Sequence, residues 1–300
     1  MRGRPLRSLP VRGEVHLPGR AGIPVQRHRP PVRGAGIVTA RPRIAVHKFS
    51  SCDGCQLAFL NAGEDLLTLD GLVDIVHFAE AGPVDETAQV DIAFVEGSIS
   101  TQADAERIRR VRERAGFLVT LGACATAGGL QALRNLADGA EWLAGVYATP
   151  GYVDSLDTAT PIREHVRVDF ELWGCPVNAR QVFATVRALL FGVRPVADHQ
   201  KVCMECKRRQ AVCVMVTRQR PCLGPVTSTG CGALCPRFGR DCYGCFGPSE
   251  SPNTDALGTR FEGLGLTPDA IARRFLFINS HADAFAQAGQ TWMRKHDDKA

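Results

Sequence analysis

The chain has 300 residues, of which 45% are hydrophobic, 22% charged and 7% aromatic, the make-up of a globular protein long enough to bury a core. Its net charge of +5 comes from a tail and not from a basic face on the fold, which argues against nucleic-acid binding: residues 1–43 hold ten arginines against one acid, Glu14, and carry +9, which leaves −4 for the rest. No apolar run reaches the roughly eighteen residues of a membrane span, and the N-terminus shows neither a signal-peptide core nor a twin-arginine leader.

The expected compartment is therefore the cytoplasm. Thiols stay reduced there, so twelve cysteines argue for metal or redox chemistry rather than disulfides. Residues 1–41 are rich in Arg, Pro and Gly without periodicity, which reads as a disordered tail or as a start assigned upstream of a native one near Gly36–Arg41. From Arg43 the texture changes. Strands are predicted over Arg43–Phe49, Val73–Phe78, Asp91–Glu96, Phe117–Leu121 and Val166–Leu172. Helices are predicted over Gln56–Leu67, Ala103–Ala115 and Ala179–Phe191. Strands alternating with helices over residues 42–198 predict an α/β domain with a parallel sheet, whose functional sites lie beyond the carboxyl ends of its strands. Pro195 and Asp198 mark a break. Residues 199–250 then crowd eight cysteines among many Gly and Pro, a segment expected to need metal centres in order to fold. Residues 251–300 read as a loop, a helix over Pro268–Phe275 and a polar tail.

Cys52, Cys55, Cys124 and Cys175 each follow a predicted strand, which would deliver four thiolates to one edge of the sheet. Four thiolates suit a cubane iron–sulfur cluster or a structural zinc ion. Taken singly, Cys124 and Cys175 could be ordinary core residues, but both sit in Gly-flanked segments outside the apolar runs. Gly122, Gly128 and Gly129 match no phosphate-binding fingerprint and read as room for a bulky group. Glu96 ends the third strand facing the same edge, as a polar neighbour of the site or a solvated carboxylate.

The remaining cysteines form a doubled pattern. Cys203, Cys206, Cys213 and Cys222 end in CLGP, and Cys231, Cys235, Cys242 and Cys245 end in CFGP. The repeat resembles two-cluster ferredoxins, in which the fourth cysteine of each half binds the other half's cluster. Crossed in that way, one cluster takes Cys203, Cys206, Cys213 and Cys245, and the other Cys222, Cys231, Cys235 and Cys242; the uncrossed grouping stays open. Two zinc sites would also use all eight. Four and eight make three complete sets, which favours three [4Fe–4S] clusters. Lys207, Arg208 and Arg209, lying between ligands, either balance cluster charge or are solvated.

SCDGCQ at 51–56, VEGS at 95–98, GACATAGG at 122–129 and ELWGCPVN at 171–178 resemble the small subunit of nickel–iron hydrogenases, in particular the cytoplasmic, cofactor-reducing branch. CGALCPRFGRDCYGC at 231–245 resembles the delta subunit of sulfhydrogenases and the gamma subunit of deazaflavin-reducing hydrogenases. The related complex I 20 kDa subunit, the alternative reading, has adjacent cysteines where this chain spaces Cys52 and Cys55 by two residues. The resemblance implies a flavodoxin-like domain followed by a small ferredoxin-like two-cluster domain. It implies a nickel–iron large subunit as partner, together with flavin/NAD(P)-binding and iron–sulfur subunits. It implies no catalytic residue in this chain, and an obligate apolar interface near Cys52 and Glu96.

Overall fold

The computed structural model describes residues 41–298; the tail expected over residues 1–41 lies outside them but for Arg41. Five parallel strands form one sheet in the order β2-β1-β3-β4-β5, with β1 at Arg43–Lys48, β2 at Asp74–Phe78, β3 at Val90–Glu96, β4 at Ala115–Leu121 and β5 at Phe170–Leu172. This is the flavodoxin-like order expected of the α/β domain. The last residues of four strands lie in register: Lys48 beside Glu96, Glu96 beside Leu121, and Leu121 beside Leu172. The segments that leave those strands therefore start from one line.

Helices cover both faces, as buried parallel strands require. On one face Ile44, Val46, Phe94, Val119 and Leu172 pack against Phe59 of α1 (Gly54–Leu60) and Val182 and Val186 of α6 (Ala179–Leu190). On the other, Ala45, Ala93, Val95 and Leu118 meet Ile108 and Val111 of α3 (Gln102–Arg114). The helix expected over Gln56–Leu67 is broken: α1 stops at Leu60, and α2 (Glu64–Asp70) starts after Gly63, whose φ of 62° no helix tolerates. The strand expected from Val166 begins only at Phe170. Just before it the Asp169 carboxylate accepts from Arg112 Nη1 (2.6 Å) and the Leu118 backbone N–H (2.9 Å), while the Asp169 N–H donates to the Leu118 carbonyl (3.0 Å), so the ladder starts with one side-chain and one backbone bond.

After β4 the chain forms α4 (Gly122–Ala127), a 3-10 turn over Gly129–Leu136 and α5 (Gly139–Val146). The cysteine-rich segment holds short helices, α7 (Val202–Arg208), α8 (Val214–Thr217) and α9 (Leu234–Arg237), with two isolated antiparallel bridges, Lys201↔Ser228 and Thr227↔Pro248. It shows no regular strand pairing among the described residues. In the C-terminal part the helix expected over Pro268–Phe275 is present with those bounds, but helices also stand where a loop and a polar tail were expected. This part forms α10 (Thr254–Glu262), α11 (Pro268–Phe275) and α12 (Asp283–Asp297). Phe261, Ile271, Phe275, Phe285 and Trp292 from these helices bury Val214, Leu223, Val226, Cys222 and Cys242 in one apolar cluster. The cysteine-rich segment thus takes its apolar core from the residues that follow it. No helix among the described residues is long and apolar enough to cross a membrane.

Buried His47 and His77 stack with ring centroids 4.5 Å apart, and neither Nδ1 has a hydrogen-bond partner. Burial, then His77, Arg107 and Arg114, lower the His47 pKa from 6.5 to about 3. Burial lowers that of His77 as well. The unfolded chain therefore binds more protons between the two values, so stability is full above about pH 6.5 and falls as the pH drops toward 3. The expected slope from His47 is up to about 1.4 kcal/mol per pH unit, and His77 acts in the same direction. Urea unfolding across that range should be flatter in His47→Leu than in the native chain; equal slopes would remove His47 from the acid sensitivity.

Candidate metal centres

Each cysteine of the first set starts from the aligned strand ends. Cys52 lies in the turn after β1, Cys55 on α1, Cys124 on α4 directly after β4, and Cys175 in the segment after β5. Asp53 caps α1 in the left-handed region (φ 63°), and its carboxylate is held by Lys48 Nζ at 2.6 Å. Cys55 is fastened from two sides. Its N–H donates to Glu96 Oε1 (3.1 Å), and its sulfur accepts from the Val177 N–H (3.4 Å). Glu96 is therefore a buried positioning group, not part of an exposed rim, and its Oε2 is buried without a hydrogen-bond partner. Cys124 Sγ donates to Gln131 Oε1 (3.2 Å), a neighbour that the sequence did not single out.

Two glycines are set against these sulfurs. Gly122 has φ 80°, and a Cβ on it would collide with Cys55 Sγ. Gly129 has φ 61°, and a Cβ on it would stand 2.5 Å from Cys124 Sγ. Both are left-handed positions that glycine adopts at little cost.

The other eight cysteines lie on from Cys175. Cys245 is influenced electrostatically by Cys231, Cys175 and Cys235, and its sulfur is hydrogen-bonded to the Cys175 backbone. Cys203 is influenced by Cys222 and Cys213, and Cys206 by Cys203, Cys222, Cys213 and Cys231. Cys242 sits between the two groups: its N–H donates to Cys222 Sγ (3.2 Å), and its thiol feels both Cys222 and Cys245. Cys245 therefore neighbours Cys231 and Cys235, whereas the crossed grouping sets it with Cys203, Cys206 and Cys213. Glu205, between Cys203 and Cys206, ties the groups together, accepting from the Gly230 N–H (3.0 Å) and the Ala233 N–H (3.2 Å) on either side of Cys231. The signal for it is that Glu205, inside the Cys203–Cys206 motif, is the one acid among the bases of residues 201–240.

The donor set suits a thiolate-bound group. Burial raises the Cys124 and Cys245 pKa values to about 12 and that of Cys206 to about 11, and it pushes Cys55 and Cys242 well up. Repulsion between neighbouring thiolates adds to burial at each of these. Such thiols ionise only for a cationic partner. The two glycines leave free the space that a Cβ would fill beside Cys55 and Cys124. No three His, Cys, Asp or Glu side chains among the described residues crowd closely enough to chelate a single ion. Gly122→Ala is accordingly expected to fold but to lose metal from the first set, read as a lower iron-to-protein ratio at unchanged far-UV circular dichroism. An unchanged ratio would mean that Gly122 does not shape the site.

The family model described as NADH ubiquinone oxidoreductase, 20 Kd subunit, matches residues 52–189. The sulfhydrogenase 2 subunit delta of Pyrococcus furiosus is 36% identical over 234 residues, which cover 77% of this chain and 97% of that one. A subunit of the F420-non-reducing hydrogenase (vhu) of Methanocaldococcus jannaschii is 29% identical, over 71% of this chain and 84% of that one. Among solved structures, the actinobacterial-type NiFe-hydrogenase from Ralstonia eutropha shares the fold with a TM-score of 0.52 at 16% identity, over 86% of this chain and 91% of that one. The chain belongs to the small-subunit family of nickel–iron hydrogenases and is thus a subunit of an oxidoreductase.

Proposed function

We propose that this chain is the electron relay of a cytoplasmic nickel–iron hydrogenase. The observation that carries the reading is the file of thiols. The first set adjoins the second at Cys175 and Cys245, and the second adjoins the third at Cys231 and Cys206, while the exposed thiols are Cys52 in the first set and Cys213 in the third. Cys52, Cys55, Cys124 and Cys175 would hold one [4Fe–4S] cluster. Neighbouring thiols favour the uncrossed assignment for the others: Cys231, Cys235, Cys242 and Cys245 for one, and Cys203, Cys206, Cys213 and Cys222 for the other. Four-iron clusters supply one-electron redox chemistry.

The chain's own residues do the rest. The Cys55 and Val177 N–H groups orient the first loop, through Glu96 and the Cys55 sulfur respectively. Burial of Cys55, Cys222 and Cys242 keeps water from the ligands, and burial and hydrogen bonds to sulfur are levers on reduction potential. No side chain here needs to act as general acid or base. The nickel–iron site would lie in a large subunit, and electrons leaving the far end would in turn reach a flavin-bearing partner that reduces NAD(P) or sulfur.

The large-subunit interface has a candidate surface beyond Cys124. Leu136, Trp142, Val146 and Tyr152 are exposed by 56%, 57%, 73% and 90%, in a stretch that should be covered in an obligate complex. Trp142→Glu combined with Tyr152→Glu is expected to cut co-purification of the large subunit about ten-fold or more. Undiminished recovery would move the interface elsewhere. For the relay itself, Cys124→Ser is expected to lose about four irons and hydrogen-dependent dye reduction together. Full iron content in that variant would remove Cys124 from the ligands.

A further inference from the structure

Summed charge conceals a basic face on the fold. Residues 201–240 hold eight bases and one acid, a net of +7, so the rest of the chain beyond residue 43 carries −11. The sequence reading assigned the basic balance to the N-terminal tail alone; the folded segment contradicts it. All eight bases are exposed: Lys201, Lys207, Arg208, Arg209, Arg218, Arg220, Arg237 and Arg240. The nearest acids do not neutralise them. Glu205 turns inward to the backbone around Cys231. Buried Asp241 is bound by Arg274 at 2.5 Å; of the eight it forms an ion pair with Arg220 alone, at 4.0 Å, and acts on Arg240 from farther off.

Three of these arginines share a groove of about 740 Å³. Arg209, Arg218 and Arg237 line it together with Val212 and Phe238, and Cys213 lies exposed between two lining residues, Val212 and Val214. Val212, Val216 and Phe238 are exposed by 67%, 76% and 74%. An apolar patch ringed by one sign of charge is the make-up of a transient protein-docking site: the charges steer the encounter and the patch holds it briefly.

We propose that this groove docks a small acidic electron-carrier protein at the Cys213 end of the thiol file. The proposal rests on the relay reading for the carrier's role, and on charge and shape for the docking itself. In the encounter one electron leaves the chain and enters the carrier, which is the oxidant, and no bond is made or broken. Dihydrogen, oxidised to two protons in the partner subunit, is the reductant, and its two electrons leave in two successive encounters, one to each carrier. A nucleic acid would also seek the arginines, but single strands call for aromatic stacking platforms. The groove offers one aromatic, Phe238, beside aliphatic Val212.

The test uses the full chain in its hydrogenase complex and a strongly acidic [2Fe–2S] ferredoxin as probe. A basic c-type cytochrome and a single-stranded DNA oligonucleotide serve as comparison ligands. Equilibrium binding is measured at low salt and at about 0.3 M salt, where exposed charges are largely screened. Ferredoxin is expected to bind at low salt, to weaken about ten-fold or more with salt, and to weaken similarly in Arg218→Glu/Arg237→Glu. Arg110→Glu, an exposed base on α3, should change little. If the double variant misfolds, single Arg237→Glu should give a smaller loss in the same direction. The proposal is overturned if ferredoxin binds no better than the cytochrome, if charge reversal leaves its affinity unchanged, or if the oligonucleotide binds more tightly and loses that binding in the same variant. Iron content separates the two claims. Docking by a chain without iron would sink the relay and keep the surface, and iron without docking would do the reverse.

Discussion

A thiol buried away from water keeps its proton unless a cation takes its place, and ten of this chain's twelve cysteines are buried or half-buried. Nearly every local feature of the molecule follows from that constraint. Three in-register strand ends bring Cys52, Cys55, Cys124 and Cys175 to one edge, where burial raises the pKa of Cys55, Cys124 and Cys175 and makes each a poor thiolate without a cationic partner. Gly122 and Gly129 leave open the space beside two of those sulfurs. Glu96, buried among the thiols, holds Cys55 by its backbone rather than by its sulfur, so it positions the loop without competing for a ligand.

The second constraint is that a segment of short helices and turns has no core of its own. Here the C-terminal helices supply one: Phe261, Phe275, Phe285 and Trp292 close over Cys222 and Cys242. Metal and apolar packing then act on the same residues, so a loss of either weakens the other. Glu205 plays a corresponding part among the polar groups, joining α7 to the turn that carries Cys231.

Much of this was legible in the sequence, and the gaps have physical causes. The β-branched and aromatic runs marked all five strands, since a buried parallel sheet needs apolar residues on both faces. The helix over Gln56–Leu67 was misjudged because its apolar spacing spans Gly63, whose backbone breaks it. α4 was missed because GACATA is all small residues and carries no periodic signal. α12 was missed although its buried face, Phe285, Ala288, Gly289 and Trp292, follows helical spacing; small residues on that face made it read as polar. Cysteine count and strand-end placement marked the site residues. Spacing alone could not pair Cys245, because its neighbours are set by the approach of the second segment to Cys175. The basic face around Cys213 was lost in a sum over the whole chain. Charge acts locally, within about 10 Å at ordinary salt.

The central claim, that the thiols bind iron and sulfide in three sets, is tested most directly by metal and acid-labile sulfide analysis of anaerobically purified protein. The account predicts about twelve iron and twelve sulfide per chain, with the broad visible absorption of four-iron clusters. Colourless protein holding zinc and no iron would contradict it, and would make the same twelve cysteines a structural scaffold.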